Sequence, residues 1–162
     1  MVYSTAMAYV LVPFPPDRAG LVAGWVTSAD EADMWCSRAE HPFPAEVVAG
    51  WAAQPDVTAY LLLADGEPVG YGEVWSDEAE DEAELARLIV APSARGRGAG
   101  RALTTALVAR AGHQDVFVRV RPDNAVALAT YRAGGFVDVA PELQEEWNAP
   151  QPRPYAWLRY DR

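Results

Sequence analysis

Apolar residues in this chain come in short runs whose period switches between two and about three and a half. Tyr9-Val10-Leu11-Val12 is an apolar run stopped by prolines at 13, 15 and 16, which predicts a first strand. Asp17 stands where it can cap a helix running to about Trp25. Ser28 opens a second helix, with Glu31 three residues on, the spacing of a capping box. His41-Pro42-Phe43-Pro44 reads as a loop, and Pro44 to Ala53 as a third helical piece. Val57 to Leu63 and Val69 to Trp75 read as two strands joined at Asp65-Gly66, a hairpin. The stretch from Asp77 to Glu82 is acidic and turn-like.

The second half alternates more regularly. Leu85 to Val90 predicts a strand. Gly98 to Ala111 predicts a helix, with Leu103, Leu107 and Val108 on one face and Gly112 past its end. Val116 to Val120 is a buried strand, Asp123 to Ala133 a helix ended by Gly134-Gly135, and Phe136 to Val139 a strand. Pro141 to Pro154 reads as a tail rich in proline and acid, before a last strand at Tyr155 to Tyr160. No repeat or linker interrupts this order. It predicts one mixed α/β domain over 1–162, with a strand–helix–strand–helix core in its second half.

Composition narrows the function. The 162 residues carry a formal net charge of −10, from 13 basic and 23 acidic side chains. That balance speaks against a nucleic-acid binder or a protein docked on an anionic membrane, both of which need a basic face. It is compatible with a cationic partner such as an amine. Every basic residue is arginine and none is lysine. Cys36 is the one cysteine, so no internal disulfide can form. It reads as a small buried apolar residue in a reducing, cytoplasmic protein. Met1 to Pro16 lacks the basic start and unbroken apolar run of a signal peptide, and no stretch is long enough to span a membrane. His41 and His113 belong to no ligand cluster, so no metal is expected, and His113 is expected to be exposed.

The most specific local pattern is Leu88-Ile89-Val90-Ala91-Pro92-Ser93-Ala94-Arg95-Gly96-Arg97-Gly98-Ala99-Gly100-Arg101. A strand ends, a glycine-rich turn comes next and a helix begins. Free N–H groups at such a helix start suit a pyrophosphate, and Arg95, Arg97 and Arg101 add positive charge in an otherwise acidic chain. A Walker loop is excluded by the missing lysine. A dinucleotide fingerprint fails because position 101 is Arg where a third glycine is needed. A plain strand-to-helix turn stays open on the loop alone.

Arg95-Gly96-Arg97-Gly98-Ala99-Gly100 resembles the cofactor loop of the GNAT family of acetyl-CoA-dependent N-acetyltransferases, Gln/Arg-x-x-Gly-x-Gly/Ala, at every fixed position. Val120-Arg121-Pro122-Asp123-Asn124, Ala127, Tyr131 and Gly135-Phe136 resemble that family's second motif. The resemblance covers about 82–139, the cofactor-binding core. It implies a mixed, mostly antiparallel sheet of six or seven strands, flanked by about four or five helices. The parallel pair 85–90 and 116–120 should splay to admit acetyl-CoA, the acyl donor. It implies cofactor contacts from Leu88, Ile89, Val90, Arg95, Gly96, Arg97, Gly98, Ala99, Gly100, Arg101, Asn124, Ala127 and Tyr131. Asn124 would bond the pantetheine arm, although a helix N-cap is an equal reading of an asparagine there.

The same resemblance makes Tyr131 the general acid for the departing thiolate and Glu84 the general base. Packing of the tyrosine ring, and solvation of Glu84 among its acidic neighbours, are the plain readings of those two residues. Period-two alternation puts 84, 86, 88 and 90 on one face, and Glu73 on the facing strand is a weaker base. The acceptor side, about 14–55 and 140–154, would offer Trp25, Trp35 and Trp147, with Glu142, Glu145 and Glu146 for charge. The acceptor is expected to be a cationic small-molecule or peptide amine, and a homodimer is left open. A non-catalytic acyl-CoA-binding module is the rival reading.

Overall fold

A computed structural model describes residues 7–162. One seven-stranded sheet runs through the chain in the order β1-β2-β3-β4-β5-β7-β6. Its strands are β1 (Tyr9–Pro13), β2 (Val57–Ala64), β3 (Glu67–Asp77), β4 (Glu82–Val90), β5 (Asp115–Val120), β6 (Phe136–Asp138) and β7 (Ala156–Tyr160). All neighbouring pairs are antiparallel except β4 and β5. Among the described residues six α-helices flank the sheet: α1 (Ala19–Ala23), α2 (Ala29–Cys36), α3 (Ala45–Ala52), α4 (Ala99–Ala111), α5 (Ala125–Ala133) and α6 (Pro141–Asn148).

Alternation along the strands divides the core in two. Leu61 joins Val22, Trp25, Val48, Trp51, Tyr71 and Ile89 under α1–α3. Its neighbour Leu62 points the other way, to Val74, Leu85, Leu103, Leu107, Val118 and Leu158 under α4 and α5. Helix α4 crosses β3 at Gly72, where an added Cβ would stand 2.7 Å from Leu107 Cδ1. A side chain there would therefore push Leu107 out of its place in the core.

Four local expectations change. Asp17 caps nothing; it lies inside a short 3-10 turn, Pro16–Arg18, ahead of α1. Ser28 does cap α2 through the Glu31 N–H at 3.1 Å, but the Glu31 carboxylate turns to other partners, so only half of the box forms. The tail contains α6, which buries no residue. That helix is held by side-chain amides. Gln144 bonds Val139 O, Trp157 O and Trp157 N, and Asn148 bonds Tyr155 O, Tyr155 N and the Trp157 indole N–H. Its one aromatic ring, Trp147, packs on Phe117 and Trp157, and one ring makes no periodic apolar stripe to find. Finally, the His113 side chain is only 8% exposed, enclosed by Asp81 and Glu78.

Two features of β4 shape the space beside it. Its ladder with β5 covers Glu82, Ala83 and Glu84 against Asp115, Val116 and Phe117, and stops. Beyond Glu84 the two strands part, as expected of the 85–90 and 116–120 pair. Its ladder with β3 slips between Tyr71 and Glu73, placing a bulge at Arg87 and Leu88. The bulge overturns the simple alternation. Glu84, Ala86 and Ile89 share a face with Trp75, Glu73 and Tyr71, whereas Leu88 turns to the opposite face, against α4.

Candidate active site

Where β4 and β5 part, a cleft of about 880 Å³ opens. At one end lies the glycine loop. Gly96 and Gly98 have φ of 74° and 86°, a left-handed backbone that side-chain-bearing residues seldom adopt. Gly98 is the N-cap of α4, and no side chain caps that helix. Its first-turn N–H groups thus remain for an anion. Gly96, Gly98, Gly100, Arg95 and Arg101 line the cleft, while Arg97 and Ala99 line a separate small hollow behind the loop. Arg95 is engaged already: it donates to Val90 O at 3.0 Å and, by both terminal nitrogens, to Glu31 at 3.1 and 2.8 Å. It fixes the loop to the end of β4 and to α2. The Arg95 bonds and charge hold the Glu31 carboxyl below the ordinary range, against its partial burial.

Leu88, Ile89, Val90, Asn124, Ala127 and Tyr131 also line the cleft. Asn124 Oδ1 accepts the Ala127 N–H at 3.1 Å as the N-cap of α5, which leaves the amide hydrogens free of that role. Both readings of this residue are therefore compatible with its position.

The other end is built from side chains. Glu84, 19% exposed, receives the Arg119 Nε–H at 2.8 Å. Burial raises its carboxyl pKa, and the Arg119 charge and bond offset this only in part. Tyr131 packs its ring on Phe136 at 5.8 Å between centroids. Its hydroxyl has no hydrogen-bond partner among the described residues and is not shut away from the cleft. Burial, and then the Glu84 charge, push its pKa upward, so the phenol stays protonated. Glu73 is a different kind of carboxylate. It is fully buried and takes bonds from Tyr71, Trp75 and Arg87 at 2.5, 2.8 and 2.9 Å. It faces no ligand space, which removes it as a base.

Arg87 holds the bulge. Its φ of 52° is left-handed for a residue with a side chain, which costs about 1–3 kcal/mol. The surroundings fix it there. Its carbonyl accepts the Trp35 indole N–H at 2.8 Å, and its guanidinium lies over Trp51 and Trp75 at 4.1 and 4.8 Å. Arg119 lies over Trp75, Tyr155 and Trp157 at 5.6, 5.7 and 5.3 Å. Trp75 is thus flanked by two guanidiniums.

Helix α2 borders this end with Met34, Trp35 and Cys36, and its C-cap Ser37 does so too. Asp33, on the same helix, takes Arg121 at 2.6 Å and Arg153 at 3.3 Å. Cys36 is half-buried rather than buried. Its thiol donates to Ala32 O at 3.3 Å and burial pushes its pKa up to about 11, so it is no ready nucleophile. Of the anticipated acceptor-side residues, only Trp35 lines the cleft. Trp25 is core, Trp147 packs on Phe117 and Trp157, and Glu142, Glu145 and Glu146 are exposed on α6. Sequence reasoning missed Arg119, Arg87 and Tyr155. An arginine inside the apolar run Val116 to Val120 was the available signal, since a charge there must be paired.

Comparison with known proteins agrees with this architecture. The sequence model described as the acetyltransferase (GNAT) family matches residues 25–136. A mycothiol acetyltransferase of Clavibacter michiganensis subsp. michiganensis is 36% identical over 145 residues, which are 80% of this chain and 46% of that protein. This chain thus spans less than half of that relative's length. An aminoglycoside N(6')-acetyltransferase type 1 of Klebsiella pneumoniae is 26% identical over 131 residues, covering 69% of this chain and 65% of that protein. Among solved structures, an aminoglycoside acetyltransferase AAC(6')-Ib in complex with coenzyme A superposes with a TM-score of 0.74 at 19% identity, covering 96% of this chain and 95% of that one. A spermidine N-acetyltransferase from Vibrio cholerae, in complex with CoA and spermine, does so at 0.70 and 17%, over 93% and 92%.

Proposed function

The chain belongs to the acetyltransferase (GNAT) family, and on that premise we propose that residues 1–162 form one N-acetyltransferase domain using acetyl-CoA and a primary amine. The carrying observation is the Tyr131 hydroxyl. It is protonated, free of any partner among the described residues, and set in the cleft within the electrostatic reach of Glu84, where β4 and β5 separate.

The donor set fits a CoA ester. A pyrophosphate suits the uncapped N-terminus of α4 and the Arg101 guanidinium. From Val90 back to Glu84 the strand spans about 20 Å at the usual rise per residue, room for an extended arm. Past Glu84, the β4 edge carries main-chain groups that β5 no longer takes, and an N–H of 88–90 is suited to hold an oxyanion.

The side chains supply the chemistry. The amine arrives as an ammonium and must lose a proton before it can attack. Glu84, with its raised pKa, takes that proton, directly or through a water. A new N–C bond forms at the thioester carbonyl and the C–S bond breaks. The departing thiolate takes the Tyr131 proton, and the nitrogen's remaining surplus proton returns to the phenolate through the cleft, giving free thiol, a neutral amide and a restored Tyr131, while Glu84 gives its proton to solvent. Holding amine and thioester in line between α2 and the parted strands supplies much of the rate. The acceptor is a small-molecule amine, cationic as it arrives. A reducing, cytoplasmic setting suits a domain with one thiol, and no described helix is long and apolar enough to cross a membrane.

The test is release of CoA thiol from acetyl-CoA by purified protein, across a panel of amines, diamines, aminoglycosides, amino acids and short peptides. Release that depends on one amine class supports the proposal. Acetyl-CoA binding with no release across the panel would favour the non-catalytic binding module.

A further inference from the structure

The cleft's charges bear on what else the acceptor carries besides its amine. Arg95, Arg101 and Glu31 line the loop end of the cleft, and Arg87, Arg119 and Glu84 the other, so the acceptor end has two arginines against one carboxylate. Glu31 is taken by Arg95 on both oxygens, and Glu84 by Arg119. The acids of α6 lie outside. No carboxylate lining the cleft is therefore left without an arginine. An acceptor with several ammonium groups would set each additional one in a half-buried space with no counter-charge, a costly arrangement.

The same end has donors in excess. Arg119 spends Nε on Glu84 and Nη1 on the Gln151 side-chain oxygen at 3.1 Å; neither bond uses Nη2. Arg87 spends Nη1 on Glu73. Aromatic rings lie 4.1 and 4.8 Å from the Arg87 guanidinium carbon and 5.7 and 5.3 Å from that of Arg119. Release of the Glu84 or the Gln151 bond completes a planar fork with Arg119 Nη2, which a carboxylate matches. Trp35, Trp75 and Tyr155 supply flat apolar walls beside it.

We infer that the acceptor is a small amine that also carries a carboxylate, held by Arg119 across from Glu84, with an apolar or aromatic body between the rings. This rests on the proposed function for its reaction, but concerns specificity alone. Arg119 is a specificity-determining residue. Glu84 receives the ammonium end and Arg119 the anionic end of one molecule, so the ion pair between them is opened by a ligand that supplies both charges.

The experiment uses matched pairs: aromatic and aliphatic α-amino acids, each beside the amine left when its carboxylate is removed, with spermidine and kanamycin as polycations. The readout is the ratio of kcat/KM within each pair, for the wild type and for Arg119→Met. The lower ammonium pKa of an amino acid favours it in both proteins alike, and any effect of the substitution on Glu84 falls on both members of a pair. The change in ratio, not its value, isolates recognition. Loss of a charge-assisted carboxylate contact should lower the ratio by about tenfold or more. Should Arg119→Met fail to fold, Arg119→Lys keeps the charge, loses the fork, and should lower the ratio by a smaller factor. An unchanged ratio, or polycations preferred over every carboxylate-bearing amine, overturns the inference. If no acceptor releases thiol, the proposed function fails, and calorimetric affinities of the same pairs for the CoA-loaded protein decide the inference alone: equal affinities within pairs overturn it.

Discussion

At the loop end of the cleft the groups on offer are main-chain N–H groups at the uncapped start of α4, beside Gly96 and Gly98 at φ of 74° and 86°. At the other end they are side chains drawn from β3, β4, β5, α2 and the segment before β7: Trp75, Glu84, Arg87, Arg119, Trp35 and Tyr155. The first end is set within a dozen consecutive residues. The second exists only when strands distant in sequence lie side by side, as Glu84 and Arg119 do. A site made of backbone suits what many ligands share, and the one proposed for this loop is a phosphate. A site made of side chains can be retuned one residue at a time, which suits it to specificity.

Substitutions that act on one end only separate the two. The largest effect is expected from Gly98→Glu, which puts a side chain at a left-handed position and a negative charge in the phosphate cradle. Acetyl-CoA affinity, measured by calorimetry, should fall by about 100-fold or more; unchanged affinity would remove the loop from binding. Tyr131→Phe should spare that affinity and lower kcat by about 100-fold or more, within the range of a positioned proton donor. Full turnover would remove Tyr131 as the acid.

Glu84→Gln should lower kcat by about tenfold to a hundredfold. Its pH profile carries the sharper information. Glu84 works ionised, and burial raises its pKa. As pH falls through that raised value the carboxylate takes a proton and the rate drops, so the acid limb should lie above the ordinary range near about 4.3. In Glu84→Gln that limb should disappear; an identical limb in the variant would assign it to another group. The smallest effect is expected from Trp35→Phe, which removes the bond to Arg87 O and leaves the ring. A loss of about 1 kcal/mol, or about 2–4 °C in Tm by calorimetry, is expected. No change would show that the left-handed Arg87 backbone stands without it.

The same contrast explains what could be read from the sequence. Gly98, Gly112 and the run Leu103 to Leu107 announce α4 because caps and period are local. The parting of β4 and β5 was anticipated from family resemblance, and the ladder does end at Glu84 and Phe117. The face of Leu88 was misjudged because a bulge adds a residue to β4, and nothing in Ala86-Arg87-Leu88 marks it. Helix α6 was missed because Gln144 and Asn148 dock it through amides. Of the tryptophans expected to wall the acceptor, Trp25 is core and Trp147 packs on Phe117 and Trp157, and of the three Trp35 alone reaches the cleft.

Arginine is the sole basic residue type in the chain, and arginines supply the cations around the cleft. A lysine amine there would itself be a nucleophile of the kind that the proposed reaction consumes. A guanidinium keeps its proton at any physiological pH and offers no lone pair. Positive charge and chemical inertness thus coincide around the donor. Acetyl-CoA could rest in the cleft between turnovers without the protein's own side-chain cations competing for its acyl group, so self-acylation at lysine is closed off by composition.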